Sequence, residues 1–146
     1  MDELIKLLDT HLQYVNHEVI DQNFYIDVQS NRTTMNCPFC QTPTKKVHSK
    51  YERTFQDLPI QGKKVIIILQ NRKFLCEEPT CQKTTFAETF ECIAPKAKKT
   101  RRLEEEIIRL SLNCSSVAAS EILSKQTVEV SKSTICNLLK KRDNTR

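Results

Sequence analysis

The chain has no run of about 18 apolar residues, which excludes a membrane-spanning helix. It also lacks a basic, apolar leader. The opening Met1-Asp2-Glu3 is acidic, so no export signal is visible and a cytoplasmic protein is expected. Glycine is scarcer still. The only one, Gly62, ends the segment Asp57-Leu58-Pro59-Ile60-Gln61-Gly62, which reads as a turn between strands. Cysteine is not lacking, but the seven present fit a secreted disulfide scaffold poorly. Their number is odd, there is no export signal, and they cluster at metal-ligand spacing.

Four of the seven form two tight pairs, Cys37-Pro38-Phe39-Cys40 and Cys76-Glu77-Glu78-Pro79-Thr80-Cys81. Two such knuckles separated by enough chain for a small sheet build a closed tetrahedral thiolate site, and Zn²⁺ is the metal such a site normally holds. The bland alternative is four reduced cysteines packed as small hydrophobes. His48 follows Cys40 by eight residues, but four thiolates already fill a tetrahedron, so it reads as a strand histidine. The same saturation leaves no position for a catalytic water. A redox role for Cys37 and Cys40 lacks the βαβ context it needs.

The expected fold is α+β, in three parts. Residues 1–35 give an N-terminal amphipathic helix and a strand. Leu4, Ile5, Leu7, Leu8, Leu12 and Val15 recur at helical spacing over residues 2–15, and Phe24-Tyr25-Ile26-Asp27-Val28 alternates as a strand. His11 and His17 read as surface residues. Residues 36–95 form a small zinc-ribbon-like antiparallel β domain. Its strands cover residues 45–55 and the β-branched stretch Lys64-Val65-Ile66-Ile67-Ile68-Leu69, which continues through Asn71-Arg72-Lys73-Phe74 into Cys76. A β unit of ~55 residues buries too little apolar surface to stand alone, and structural zinc supplies the deficit.

Residues 96–146 combine a basic linker with three helices. Residues 1–35 carry a net charge of −4, 36–95 of +3 and 96–146 of +6, an asymmetry that points to a polyanionic partner. Lys96, Lys98, Lys99, Arg101 and Arg102 form a cationic run, read either as a solvated face or as a linker tracking DNA phosphates. A first helix starts at Arg101, with Glu104, Glu105 and Glu106 in its first turn and Leu103, Ile107, Leu110 and Ile108 as its apolar stripe. A second, capped by Ser115 or Ser116, directs Val117, Ala118, Ala119, Ile122 and Leu123 inward.

The third helix begins near Ser131 and buries Ile135, Leu138 and Leu139. Three short helices with small alanines at the crossing read as a helix-turn-helix, although the turn is long and has no glycine. Ser131, Lys132, Ser133 and Thr134 then meet phosphates or base edges, Asn137 pairs with an adenine edge, and Lys140, Lys141 and Arg142 grip the backbone. An ordinary three-helix bundle with a polar face is the alternative. Cys114 and Cys136 read as core fillers; Cys92 has no assignment.

The ordered motifs Cys37-Pro38-x-Cys40, His48-Ser49-x-Tyr51-x-Arg53, Asp57-Leu58-Pro59, Arg72-Lys73-Phe74-x-Cys76, Cys81, Thr85-Phe86-x-Glu88 and Ser133-Thr134-Ile135-Cys136 resemble the N-terminal half of insertion-sequence transposases of the ISL-three family. The resemblance covers about residues 35–142 and is clearest in the zinc portion. It implies a zinc-binding domain and a helix-turn-helix that bind the terminal inverted repeats of the element. A DDE catalytic domain with three metal-binding carboxylates would follow. The sequence stops at Arg146, where that domain would begin, so this chain is expected to bind DNA and not cut it.

The expected partners are double-stranded DNA at transposon ends, with a second copy of the chain or the full-length transposase as protein partners. No membrane or small-molecule substrate is implied, and the expected location is the cytoplasm, on the nucleoid when DNA is bound. Two other functions fit the residues: a standalone zinc-containing regulator of transcription or transposition, and a zinc-stabilised protein-interaction module.

Overall fold

A computed structural model describes residues 1–82, 84–113, 116–125 and 132–144. The elements run α1 (Asp2–Leu8), β1 (Leu12–Ile20), β2 (Asn23–Ser30), β3 (Met35–Asn36), β4 (Pro43–Thr44), β5 (Val47–Ile60), β6 (Lys63–Leu75), β7 (Thr85–Ala87), α2 (Arg101–Asn113), α3 (Ser116–Lys125) and α4 (Lys132–Asn144). Among the described residues no helix is long and apolar enough to cross a membrane.

The main sheet has the order β1-β2-β6-β5, with β7 added to the far end of β6. Two hairpins build it, and each closes through two residues with positive φ, the conformation that matches the twist of paired strands. Asp21 (φ 49°) and Gln22 (φ 69°) join β1 to β2; Gln61 (φ 51°) and Gly62 (φ 74°) join β5 to β6. The expected six-residue turn therefore shrinks to its last two residues, and Asp57 to Ile60 remain in the strand. The hairpins associate through β2 and β6, which are parallel, with Ile26 beside Ile67 and Val28 beside Leu69. Within residues 36–95 the β3–β4, β5–β6 and β6–β7 pairings are antiparallel, as expected. The parallel pairing instead joins the N-terminal strand, expected as a separate part, to that sheet. Sequence spacing cannot disclose it, because β2 and β6 are separated by both the first knuckle and β5.

Alternation along β2 and β6 sets the core. Ile26 and Val28, with Val65, Ile67 and Leu69, point to one side and are buried with Phe55, while Ile5 of α1 and Phe90, Cys92 and Ile93 close over them. Burial and the adjacent Asp9 carboxylate push the Cys92 thiol up to about 12, so it packs as a neutral core group. His11 and His17 are exposed, His17 stacking on Phe24.

The N-terminal helix is shorter than its apolar spacing predicts. It stops at Leu8, and Asp9 turns extended. The Asp9 carboxylate accepts from the His11 N–H (2.8 Å) and from the Cys92 N–H (3.3 Å), fixing a chain reversal that sends Leu12 into the sheet core. Val15 instead sits at the β1 irregularity, half exposed.

The three C-terminal helices pack around Leu103, Ile107, Ala119 and Ile135, flanked by Leu110, Leu138 and Leu139. Ala119 occupies the crossing position expected of a small residue. Val117 (52% exposed) and Ile122 (38% exposed) face outward, contrary to the expected inward stripe, and Ile108 is half-buried. Cys136 is half-buried; Cys114 and Ser115 lie outside the described residues.

Asp57-Leu58 joins this helical unit to the sheet. Leu58 packs against the helical core, and the buried Asp57 carboxylate accepts from the Thr100 hydroxyl (2.8 Å) and the Arg102 guanidinium (2.9 Å). Thr100 also caps α2, its hydroxyl accepting from the Leu103 N–H (3.3 Å). The hydrogen bonds to Asp57 hold the Arg102 pKa above its ordinary value.

Two substitutions test these constraints. Gly62→Ala meets nothing within 4 Å, so any loss must come from its left-handed backbone; thermal denaturation should show a loss of about 1 kcal/mol. An unchanged stability would contradict the turn geometry. Asp57→Ala should cost about 2 kcal/mol, since charged hydrogen bonds typically contribute about 1.5–3 and Arg102 is partly solvated. Equal stability of wild type and variant would deny Asp57 its role as the joint.

Candidate metal centre

The small β3–β4 hairpin carries the first cysteine pair. Cys37 donates its N–H to the Thr42 carbonyl (3.0 Å) and accepts from the Gln41 N–H (2.8 Å), while Gln41 takes the left-handed φ (62°) that closes the knuckle. The second pair leaves the end of β6. Cys76 donates its N–H to Thr84 O (2.9 Å), and the Cys81 N–H donates to Glu78 O (3.1 Å), which folds the Glu77-to-Thr80 loop back on itself.

These two turns bring Cys37, Cys40, Cys76 and Cys81 together, with all four Sγ atoms within 4.8 Å of one another. The contacts run between the knuckles: Cys37 Sγ lies 3.8 Å from Cys81 Sγ, and Cys40 Sγ lies 3.6 Å from Cys76 Sγ. A tetrahedron with Zn–S bonds of about 2.3 Å has edges of about 3.8 Å. The sulfur spacing therefore fits zinc, and a structural zinc ion bound by these four thiolates is the chain's cofactor. Among the described residues this is the only group of three or more His, Cys, Asp or Glu side chains close enough to hold a metal. His48 is exposed on β5, beside the Ser49 hydroxyl (3.3 Å), and is not in the group.

The electrostatics also call for a cation. Hydrogen bonds from Thr42 lower the Cys40 thiol to about 6. At Cys76 the Glu78 amide favours the thiolate, but burial and the neighbouring sulfurs outweigh it and push this thiol up to about 12. Four adjacent thiols cannot all ionise without a counter-charge, and a divalent ion supplies it.

The metal site is backed by a dry platform. Phe74 and Phe86 stack at 5.9 Å between ring centroids and are buried with Cys37. Thr44 ties the first knuckle to β6 by donating its hydroxyl to the Leu75 carbonyl (2.8 Å). Next to the platform, buried Glu88 accepts from Arg72 (3.0 and 3.1 Å), Arg32 (3.1 Å) and the Ser30 hydroxyl (2.5 Å), joining β2, β6 and the segment after β7. Sequence reasoning singled out Arg72 and Glu88 as a pattern without a role and missed Arg32. The available signal was that a buried carboxylate needs cations, and Arg32 lies outside the cysteine-bearing segment.

The expected DNA-contacting residues divide into several groups. Lys96 and Lys98 are exposed and Lys99 is half-buried. Arg101 donates to the Glu91 carbonyl (2.8 Å), and Arg102 is engaged by Asp57, which removes it from the freely available cations. The run is no flexible linker either. Gln56 pairs with it on both sides, donating to Lys98 O (2.9 Å) and accepting from the Thr100 N–H (2.9 Å), and Arg53 donates to Ala94 O (2.6 Å) and Ala97 O (3.2 Å). On α4, Thr134 is half-buried, while Asn137 and Lys140 are exposed. Lys132, Ser133, Lys141 and Arg142 lie within the span of α4, and Ser131 lies outside the described residues.

Residues 33–81 match the family model described as the zinc-finger of transposase IS204/IS1001/IS1096/IS1165. Comparison with curated proteins and with solved structures found no match. The matched segment begins just before β3 and ends on the fourth cysteine, so it contains every metal ligand.

Because zinc must displace protons from the thiols, its affinity should rise with pH and fall on acidification, most steeply where Cys76 and its neighbours still hold their protons. Competition with a chelator at several pH values measures this, and a pH-independent affinity would contradict thiolate ligation. Cys40→Ser should bind zinc far more weakly and lose the near-ultraviolet signal of the Phe74–Phe86 platform on mild chelation. A variant that keeps both would place the metal elsewhere.

The motif order, the tetrahedral sulfur spacing and the family match coincide on one stretch of chain: this protein carries the N-terminal zinc finger of the ISL-three family of transposases.

Proposed function

We propose that this chain is the DNA-binding N-terminal portion of an insertion-sequence transposase, recognising the terminal inverted repeats of its element. On this reading the zinc-bearing sheet is a scaffold, α2–α4 act as the helix-turn-helix, and strand cleavage belongs to a DDE domain of the parent family. The observation that carries the proposal is the transposase zinc finger joined through Asp57 to a cationic three-helix unit.

Several features support it. The turn preceding α2 is pinned to β5, so its lysines are held in place before any ligand arrives, which lowers the ordering cost of binding. Lys96, Lys98 and Lys99 share a cleft with Thr134 and Leu138 of α4, putting the cations beside the helix proposed to read bases. Asn137 is exposed one turn into that helix. The buried carboxylates Asp57 and Glu88 are both held by arginines, so they serve the fold and not two-metal phosphoryl transfer.

The test is retention of duplex DNA bearing the element's inverted repeats, compared with scrambled duplex, over a salt series. Affinity should fall steeply with salt, each neutralised phosphate adding about 0.9 to the slope of log K against log salt. Asn137→Ala should erode preference for the repeat by about 1–3 kcal/mol, while Lys98→Ala should weaken repeat and scrambled DNA alike. Salt-insensitive retention, or none, would instead favour a protein-interaction module. If the two variants behave identically on both duplexes, α4 is not the reading element.

A further inference from the structure

One groove shares only Lys96 and Lys98 with the residues assigned to DNA contact above. It has a volume of about 810 Å³ and runs between the outer end of β5 and the turn that precedes α2. Ser49, Tyr51 and Arg53 alternate along one face of β5, Lys73 stands opposite Ser49 on β6, and Lys96 and Lys98 form the other wall. We infer that this groove is a second phosphate-binding surface, which holds the sugar–phosphate backbone of the duplex beyond the stretch read by α4. The inference rests on the function proposed above and extends the footprint from the helices onto the zinc-bearing sheet.

Charge selects the occupant. Arg53, Lys73, Lys96 and Lys98 bring four cations to one groove. Of the two carboxylates on its border, Glu52 is solvated and Glu88 is neutralised by Arg32 and Arg72. Tyr51 is 39% exposed, and the Lys73 ammonium lies 5.7 Å from its ring centroid, so the ring face attracts the cation. Lysine and tyrosine side chains of this kind are donors to phosphate and carry no base preference.

Continuity selects a duplex over an isolated anion. Pro95, Lys96, Ala97 and Lys98 border both this groove and the cleft shared with Thr134 and Leu138, so one turn forms the wall between sheet and helix. Lys96 takes a left-handed φ of 64° there, and Arg53 holds the turn from beneath through the Ala94 and Ala97 carbonyls. The two surfaces are therefore fixed relative to each other, as a rod-shaped polyanion requires.

Lys73 is the test position, because it is exposed and lies outside every metal and carboxylate cluster described above. Lys50, exposed on the opposite face of β5, is the control. The zinc-loaded full chain, Lys73→Ala, Lys73→Arg and Lys50→Ala would each be titrated with a mixed-sequence duplex across a salt series. Lys73→Ala should flatten the salt slope by about 0.9, Lys73→Arg should restore it, and Lys50→Ala should leave it unchanged. Equal zinc content in all four proteins excludes misfolding as the cause. A Lys73→Ala slope equal to wild type, or a larger effect at Lys50, overturns the groove while leaving the proposed function standing. Absence of salt-sensitive binding by the wild type overturns both.

Discussion

Four sulfur atoms at the edges of a tetrahedron fix the geometry of everything that surrounds them. One knuckle comes from the β3–β4 hairpin and the other from the end of β6, so each close sulfur pair spans the two. The apolar platform beneath consists mainly of Cys37, Phe74 and Phe86, too little to hold these turns by burial alone. Zinc binding to such sites has an apparent free energy of about 10–16 kcal/mol, and in a small unit most of it is folding energy. Without the ion, burial and the neighbouring sulfurs together keep the proton on Cys76. The metal thus joins two segments and removes a repulsion.

Two buried carboxylates extend this order outward. Glu88 gathers Arg32 and Arg72 beside the zinc platform, and Asp57 gathers Thr100 and Arg102 at the far end of β5. Each replaces the solvation of its charge with two or more directed hydrogen bonds, and each would be costly to leave alone. Together they give physical meaning to motif residues that are not metal ligands. Glu88 locks the sheet around the metal; Asp57 locks the helices onto the sheet. On the function proposed above, a cationic surface built across that joint would keep its shape on meeting a rigid polyanion.

The metal ligands were legible in the sequence because coordination chemistry restricts both residue type and spacing. β6 was equally plain, since Val65, Ile66, Ile67 and Ile68 favour a strand whatever surrounds them. The end of α1 was not. Leu12 and Val15 fit a helical period as well as a strand, and the deciding contact, Asp9 with the Cys92 amide, joins residues 83 positions apart. The parallel pairing of β2 with β6 is hidden for the same reason. The cationic run from Lys96 to Arg102 read as a linker because charge says nothing of backbone partners. Gln56 and Arg53 pin it, and Asp57 captures one of its arginines. Within the helices, the stripe on α2 was readable from Leu103 and Ile107, whereas Val117 and Ile122 failed because the apolar residues of α3 spread over too wide an arc for its sequence to single out the buried face.

X-ray absorption at the zinc edge of the purified protein tests the central claim most directly. Four sulfur ligands at about 2.3 Å, with no nitrogen or oxygen in the first shell, is the predicted result. A folded protein showing no zinc edge, or zinc bound through mixed sulfur and nitrogen ligands, would contradict the account.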